Sequence, residues 1–183
     1  TFIAITPGFR YCDYGFAFDV AGSSIFIEDK IKLYTLGFLC SCVAKHMLEI
    51  LNPTMNLQAN DIKALPLVIA EEKKSLIEKL VRENIQISKE DWDFVETSWD
   101  FKKHPLIQNK GLLRESFEVW KSLCDERYSA LAENEYQLNE MFIDIYNING
   151  DISPDVNTAD ITIQKADLIR EVKSLIMYAV GCM

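Results

Sequence analysis

The segment from Lys30 to Leu67 constrains the fold more than any other part of the chain. Within it, residues 31–51 form a mostly apolar run whose largest side chains recur at helical spacing, at Leu36, Leu39, Val43, Met47 and Ile50. A helix that is apolar nearly all round is buried on more than one side. Pro53 disfavours helical geometry at Asn52, so we expect this helix to end there.

The N-terminal region predicts a small sheet that packs on this helix. Three stretches are rich in β-branched and aromatic residues and are predicted to be strands: residues 2–6 (FIAIT), 16–20 (FAFDV) and 24–28 (SIFIE). Two or three strands are marginal alone, so we expect an antiparallel sheet supported by the buried helix. In the connector at 56–67, residues 62–65 are a further candidate strand.

The rest of the chain predicts amphipathic helices. Apolar residues recur at threes and fours in four segments, at 71–84, 89–99, 113–146 and 162–179. Ser88 is a suitable N-cap for the second of these. The predicted fold is therefore α+β but mostly helical, with a small N-terminal antiparallel sheet on a buried helix. We divide it into a recognition-like part, residues 1–69, and a helical support region, residues 70–183, whose long helix lies near 113–146.

Composition places the chain among ordinary globular proteins. Of its 183 residues, 49% are hydrophobic and 26% are charged. The most apolar run, residues 33–43, is too short to cross a bilayer, so we expect no membrane association. The five cysteines lack zinc-ligand spacing and the two histidines stand alone. We therefore predict no metal site, and free thiols favour a cytoplasmic location.

The charge of the chain is unevenly distributed. Its net charge of −9 argues against strong, autonomous binding to nucleic acid. However, the acidic segment 90–100 is followed by a basic segment, 101–114. Phosphate contacts require Lys and Arg, and the candidate DNA-binding residues are Arg10, Lys102, Lys103, Lys110 and Arg114. Of these, Arg10 is the candidate for contact with a base, and a solvated loop is the alternative interpretation for each residue taken singly.

Motifs for catalysis are missing from the sequence. There is no glycine-rich nucleotide loop and no nucleophile elbow. Asn52-Pro53-Thr54-Met55 approaches the Asn/Asp-Pro-Pro-aromatic tetrapeptide with which adenine methyltransferases hold a flipped base. The second proline and the stacking ring are replaced by Thr54 and Met55. We interpret Asn52-Pro53 as a helix stop and predict no catalytic residue.

Several segments nevertheless resemble a known family. Residues 14–26 (YGFAFDVAGSSIF), 36–67, 87–107 and 134–148 resemble, in the same order, the C-terminal half of large adenine-specific DNA methyltransferases. The resemblance is greatest to the PglX type of BREX phage-defence systems, akin to type IIG restriction–modification enzymes. It implies a fragment that carries the target-recognition region, with the catalytic domain and its S-adenosylmethionine site upstream. The implied partners are DNA, through the parent protein, and that catalytic domain; the fragment itself would hold no cofactor.

A second hypothesis treats the chain as a helical protein-interaction module. The segment 113–146 carries an aromatic stripe, at Phe117, Trp120, Tyr128 and Phe142. Such a stripe could dock on a partner subunit, on the parent's catalytic domain or on a second copy of the chain. Aromatic residues at helical spacing are also typical of a core.

Overall fold

A computed structural model describes residues 8–13, 15–17, 24–54, 57–108 and 111–182. Within these ranges the protein consists of six α-helices: α1 (Asp29–Cys40), α2 (Cys42–Leu51), α3 (Ala59–Lys63), α4 (Glu71–Trp92), α5 (Leu113–Ile145) and α6 (Leu168–Gly181). A short 3-10 turn, Pro105–Ile107, precedes α5. The chain divides into two compact units, and α4 and α5 contribute residues to both of them.

The predicted α+β fold is wrong, because the described residues contain helices but no strand. Residues 24–28 are irregular, and Ile25 and Phe26 are 44% and 80% exposed, although a half-buried strand would hide one face. A β-rich composition yields a strand only where a neighbouring strand completes the ladder. The predicted strand 2–6 and residues 18–20 of its neighbour lie outside the described residues.

The first unit comprises residues 1–83 and 134–155. Its core forms where α1, α2 and the first part of α4 bury their apolar faces with the last turns of α5. Phe142 of α5 is completely buried, with its ring centroid 5.6 Å from that of Tyr34 and 5.7 Å from that of Phe38. Gly37 lies beside α4, where an added Cβ would be 2.8 Å from Cγ2 of Val81. Of the residues that define the apolar helix predicted at 31–51, Leu39 and Val43 are buried as expected, whereas Ile50 is 69% exposed.

A sharp bend, which the sequence does not predict, divides this apolar helix into α1 and α2. Ser41 has an extended backbone (φ −75°, ψ 157°), and the two helices are bent by 71°. The Ser41 hydroxyl donates to the Phe38 carbonyl (2.7 Å) and accepts from the Ala44 N–H (3.3 Å). Ser41 is therefore the N-cap of α2. The predicted end at Asn52 is confirmed, since Asn52 is the C-cap of α2.

Among the described residues, no single helix is long and apolar enough to cross a membrane, and only α1 and α2 taken together, as a bent pair, meet the length and composition required.

The connector between α3 and α4 is held in place by two tyrosines. The Tyr34 hydroxyl donates to the Val68 carbonyl (2.9 Å) and accepts from the Ala70 N–H (3.1 Å). The Tyr146 hydroxyl accepts from the Val68 N–H (3.0 Å) and donates to the Pro66 carbonyl. These bonds satisfy backbone groups that lie outside any helix.

Three further boundaries differ from the sequence prediction. The candidate strand at 62–65 is instead occupied by the end of α3, whose start is fixed by the Gln58 N–H donating to Asp61 Oδ2 (2.8 Å). The helix predicted at 71–84 continues through Ser88 to Trp92 as one helix, α4, so the separate helix predicted at 89–99 is wrong, and residues 93–99 form turns. The last helix begins near 168 rather than at 162, because Asp167 Oδ1 accepts from the Arg170 N–H (2.8 Å) as an N-cap.

The long helix predicted at 113–146 is confirmed as α5, Leu113–Ile145. Asn147 ends it with a left-handed backbone (φ 54°). The Ile148 N–H donates to the Ile143 carbonyl (3.1 Å) and the Asn147 N–H to the Asp144 carbonyl (3.1 Å). This pattern is a Schellman motif, in which a residue such as Asn or Gly is favoured at the left-handed position.

The second unit comprises residues 84–133 and 156–183. Its central cluster is formed by four buried residues: Leu106, Phe117, Trp120 and Cys124. Phe94 packs on this cluster with its ring centroid 4.6 Å from that of Trp120, and Leu175 of α6 covers it from another side. Three of the four aromatic residues of the predicted α5 stripe, Phe117, Trp120 and Phe142, are therefore core residues.

Candidate functional site

The basic loop, which we define as residues 101–108, lies in the second unit and is anchored on either side of its two lysines. The Phe101 ring packs edge-on against Tyr178 of α6, with a centroid distance of 5.7 Å. Leu106 is buried in the central cluster. Between these anchors, Lys102 and Lys103 are exposed to solvent. Burial of the neighbouring side chains thus fixes the backbone that presents both ammonium groups.

His104 lies within the same loop but contributes no positive charge. It is only 2% exposed, and its Nδ1 accepts from the Leu106 N–H (3.2 Å), which caps the 3-10 turn. Burial lowers the pKa of His104, although the carboxylates of Glu171 and Glu96 act in the opposite direction. A pKa below the usual 6.5 leaves the imidazole neutral at pH 7. His104, which follows the two lysines in the basic segment, is therefore a buried residue that offers no charge to a phosphate.

The acidic segment that precedes the basic loop is largely paired within the protein. Lys89 binds Asp93 (2.9 Å) and Asp100 (2.6 Å), and these bonds raise the pKa of Lys89. Glu90 binds Arg127 (3.0 Å). The guanidinium of Arg127 also lies over the Phe94 ring, with its Cζ 4.9 Å from the ring centroid. Hydrogen bonds, first from Gln86 and then from Arg127, lower the pKa of Glu90. Pairing reduces the repulsion that these carboxylates would exert on a phosphate near Lys102 and Lys103.

Four of the five predicted DNA-binding residues are among the described residues, and they belong to different units. Lys102 and Lys103 share the basic loop, and Arg114 is exposed at the start of α5 in the same unit. Arg10 is exposed in the first unit, in a segment without regular structure near the Cys40 thiol. Lys110 lies outside the described residues. The structure therefore describes one pair of adjacent cations and two further exposed arginines.

Asn52 does not have the geometry of a base-binding asparagine. Its Nδ2 donates to Asp61 Oδ2 (2.7 Å), and its Oδ1 accepts from the Thr54 N–H (3.0 Å). Asn52 Oδ1 also accepts from the Thr54 hydroxyl (2.5 Å), so both of its lone pairs are used in the turn between α2 and α3 and no acceptor is left for an adenine amine. Asn52 and Thr54 therefore do not fit the part of a methyltransferase site that holds the flipped target adenine.

No group of three or more potential metal ligands (His, Cys, Asp or Glu) is found among the described residues.

Two exposed features of the second unit were missed by sequence reasoning. Trp99 is 88% exposed, although the sequence placed it at the end of a helix. On α6, five apolar residues are at least half exposed: Leu168, Ile169, Ile176, Met177 and Val180. The last four lie within about 100° around the helix axis and form what we call the α6 apolar face. The sequence predicts that Leu168 and Ile176 face a core. The amphipathic pattern revealed the apolar side of α6, but could not reveal how little of it is covered.

The chain is similar along its length to adenine-specific methyltransferases. It is 34% identical over 192 residues to adenine-specific methyltransferase PglX of Lacticaseibacillus casei (strain Zhang), and 100% of the chain is aligned. It is 29% identical over 202 residues to adenine-specific methyltransferase BrxX of Escherichia coli O9:H4 (strain HS), with 98% of the chain aligned. The chain spans 16% of the length of each relative. No family model matches the chain.

These relatives confirm the predicted resemblance to adenine-specific methyltransferases. The narrower part of that prediction, assignment to the target-recognition region, is not tested by the similarity and stays a prediction.

Proposed function

We propose that this chain contributes DNA target recognition to an adenine-specific DNA methyltransferase of a restriction–modification or phage-defence system. The observation that carries the proposal is the exposed pair Lys102 and Lys103 on a loop anchored in the core, in a chain similar to two adenine-specific methyltransferases. In this proposal, another part of a longer protein binds S-adenosylmethionine and transfers the methyl group to N6 of adenine. The chain itself supplies contacts to DNA.

Phosphate contacts fix the register of a protein on DNA, while contacts to base edges carry the sequence information. Lys102 and Lys103 suit the first role, because each is a flexible point charge on a fixed backbone. Arg114 adds a third exposed cation in the same unit. Arg10 is the proposed base contact, since a guanidinium can donate two hydrogen bonds to guanine.

Replacement of Lys102 by Glu is expected to weaken DNA binding uniformly across sequences. A lost phosphate contact releases one counterion fewer, so the slope of log Kobs against log salt should fall in magnitude by about 1. Fluorescence anisotropy with labelled duplexes, titrated between low and moderate salt, measures both quantities. Lys103→Glu should behave in the same way.

Lys121→Glu is the matched control, because Lys121 is an exposed lysine of the same unit outside the basic loop. Both substitutions change the net charge by the same amount. If Lys121→Glu reduced the affinity and the salt slope as much as Lys102→Glu, the effect would come from overall charge and the basic loop would lose its assigned role. A wild-type chain that binds no duplex at low salt would contradict the whole proposal.

A second candidate function is a protein-interaction module, favoured by the α6 apolar face. Large exposed apolar patches on monomeric proteins are often interaction sites. The surface proposed here differs from the predicted aromatic stripe of α5, most of which is buried. Ile169 is 66% and Met177 is 70% exposed, and both line a shallow groove that also includes Glu96 and Lys173.

Ile169→Glu is expected to abolish any concentration-dependent self-association of the chain. A charge in the apolar face would have to be desolvated on association. Size-exclusion chromatography with light scattering should show the mass of the variant at the monomer value of 21.0 kDa, with a larger mass for the wild type. Val119→Glu, at an exposed apolar position of α5, is the control that should still associate. A wild type that stays monomeric at all concentrations would remove self-association from this second candidate.

A further inference from the structure

Trp99 lies at the centre of a tight turn in the second unit. The Phe101 N–H donates to the Ser98 carbonyl (3.2 Å), so Trp99 and Asp100 are the two central residues of the turn. Trp99 is 88% exposed, which is more than any other large hydrophobic side chain of the described residues. The indole ring is therefore accessible from solvent to a binding partner.

The turn is fixed on both sides. Before Trp99, the Ser98 hydroxyl donates to Asp93 Oδ1 (2.8 Å) and accepts from the Asp100 N–H (3.2 Å). Lys89 binds Asp100 (2.6 Å), and the next residue, Phe101, packs on Tyr178. The indole is therefore presented by a preorganised backbone, and little conformational entropy of the turn would be lost on binding.

The surroundings of Trp99 favour a nucleic-acid base over an apolar protein surface. Its sequence neighbours Thr97, Ser98 and Asp100 are polar, whereas a hot spot of a protein interface is usually ringed by packed contacts. Lys102 and Lys103 follow within four residues and are exposed. An aromatic ring for the base together with cations for the backbone is the usual composition of a site for unpaired nucleotides.

We propose that Trp99 stacks on an unpaired base of bound DNA, while Lys102 and Lys103 contact the adjoining backbone. In an intact duplex the faces of each base are covered by its neighbours, so an indole can stack only where a base is unstacked or displaced. Enzymes that modify a base displace it from the helix, which creates such a base. This inference rests on the proposed role in DNA recognition and adds a preference for locally unpaired DNA.

The test compares a fully paired duplex with the same duplex carrying one unpaired base, at low salt. The wild-type chain should bind the second DNA about tenfold more tightly, as expected for stacking of one base on an aromatic ring. Trp99→Ala should lose this preference, and Trp99→Phe should retain part of it. Trp92→Ala is the matched control, since Trp92 is also exposed (54%) but lies at the end of α4. It should retain the preference.

The outcomes separate this inference from the proposed function. A wild-type chain that binds no DNA overturns both. Binding that depends on Lys102 but shows no preference for the unpaired base, or a preference that survives in Trp99→Ala, overturns the stacking role alone. If Trp99→Ala leaves DNA binding intact and instead changes the mass of the chain in light scattering, Trp99 is a protein contact and the inference is wrong.

Discussion

Phe142→Ala is expected to destabilise the first unit by about 3 to 5 kcal/mol, as for other large-to-small substitutions in a core. Phe142 is completely buried, and its ring contacts Tyr34 and Phe38 of α1. Truncation removes the apolar transfer free energy of the ring and leaves a cavity between α1 and α5. Because domains are stable by only about 5 to 15 kcal/mol, this loss should bring the unit close to unfolding at 37 °C. Urea denaturation followed by circular dichroism measures the change in free energy of unfolding.

Two further variants make this prediction specific. Phe142→Leu keeps most of the apolar volume and should cost less than the alanine variant. Val119→Ala, at a position of α5 that is 57% exposed, should change the free energy of unfolding by about 0.5 kcal/mol or less. A loss below about 1 kcal/mol for Phe142→Ala would show that the contacts of α5 with α1 are not as described.

Asn139→Ala is the substitution with the second largest expected effect. Asn139 is 8% exposed, its Oδ1 accepts from the Cys42 N–H (2.9 Å) and its Nδ2 donates to the Pro154 carbonyl (2.9 Å). The first bond satisfies a backbone donor at the start of α2 that has no partner within that helix. Alanine leaves both backbone groups without this partner, and we expect a loss of about 2 to 3 kcal/mol. The change should appear as a lower midpoint of urea denaturation at an unchanged m value.

The adjacent residue on α5 supplies the control. Glu140 is exposed, so Glu140→Ala should be nearly neutral. Asn139→Asp keeps an acceptor for the Cys42 N–H but places a carboxylate against the Pro154 carbonyl, so it should not restore the wild-type stability. Full stability in Asn139→Asp would mean that the bond to Pro154 contributes nothing.

Local patterns in the sequence were sufficient for α5 and for the end of α2. The period of apolar residues in α5 is long, and Asn147 is suited to the left-handed position that ends it. The end of α2 at Asn52 follows from the geometry that Pro53 imposes on the residue before it. Both signals act within a few residues and need no distant partner.

At other positions the preference of a residue type for a cap or a strand is weak, and neighbouring residues decide the structure instead. Ser88 is a good N-cap by residue type, yet the pairs Gln86–Glu90 (2.7 Å) and Lys89–Asp93 (2.9 Å) support helix through it. Ser41 lies in a continuous apolar run, where it caps α2 by accepting from the Ala44 N–H. The next N–H, that of Cys42, is satisfied by the side chain of Asn139, 97 residues away. Strand propensity at 24–28 has no effect where no ladder forms.

The candidate site shows the same division. The exposure of Lys102 and Lys103 could be predicted, because both lie in a basic loop of the sequence, and both are exposed in the structure. His104 could not be predicted, since its neutral state results from burial and from a hydrogen bond to Leu106. The paired state of Asp93 and Asp100 likewise depends on Lys89, which the sequence alone does not bring to both.

The sequence by itself determined the positions of most helices, the stop at Asn52-Pro53, the mismatch of residues 52–55 with the base-binding tetrapeptide and the resemblance to adenine-specific methyltransferases. These are properties of residue type and short spacing. Only the tertiary structure decided which apolar faces are covered. It buried most of the aromatic stripe of α5 and left Trp99 and the α6 apolar face in solvent. The reason is physical: helical periodicity defines an apolar face, but its burial depends on elements that are distant in the sequence.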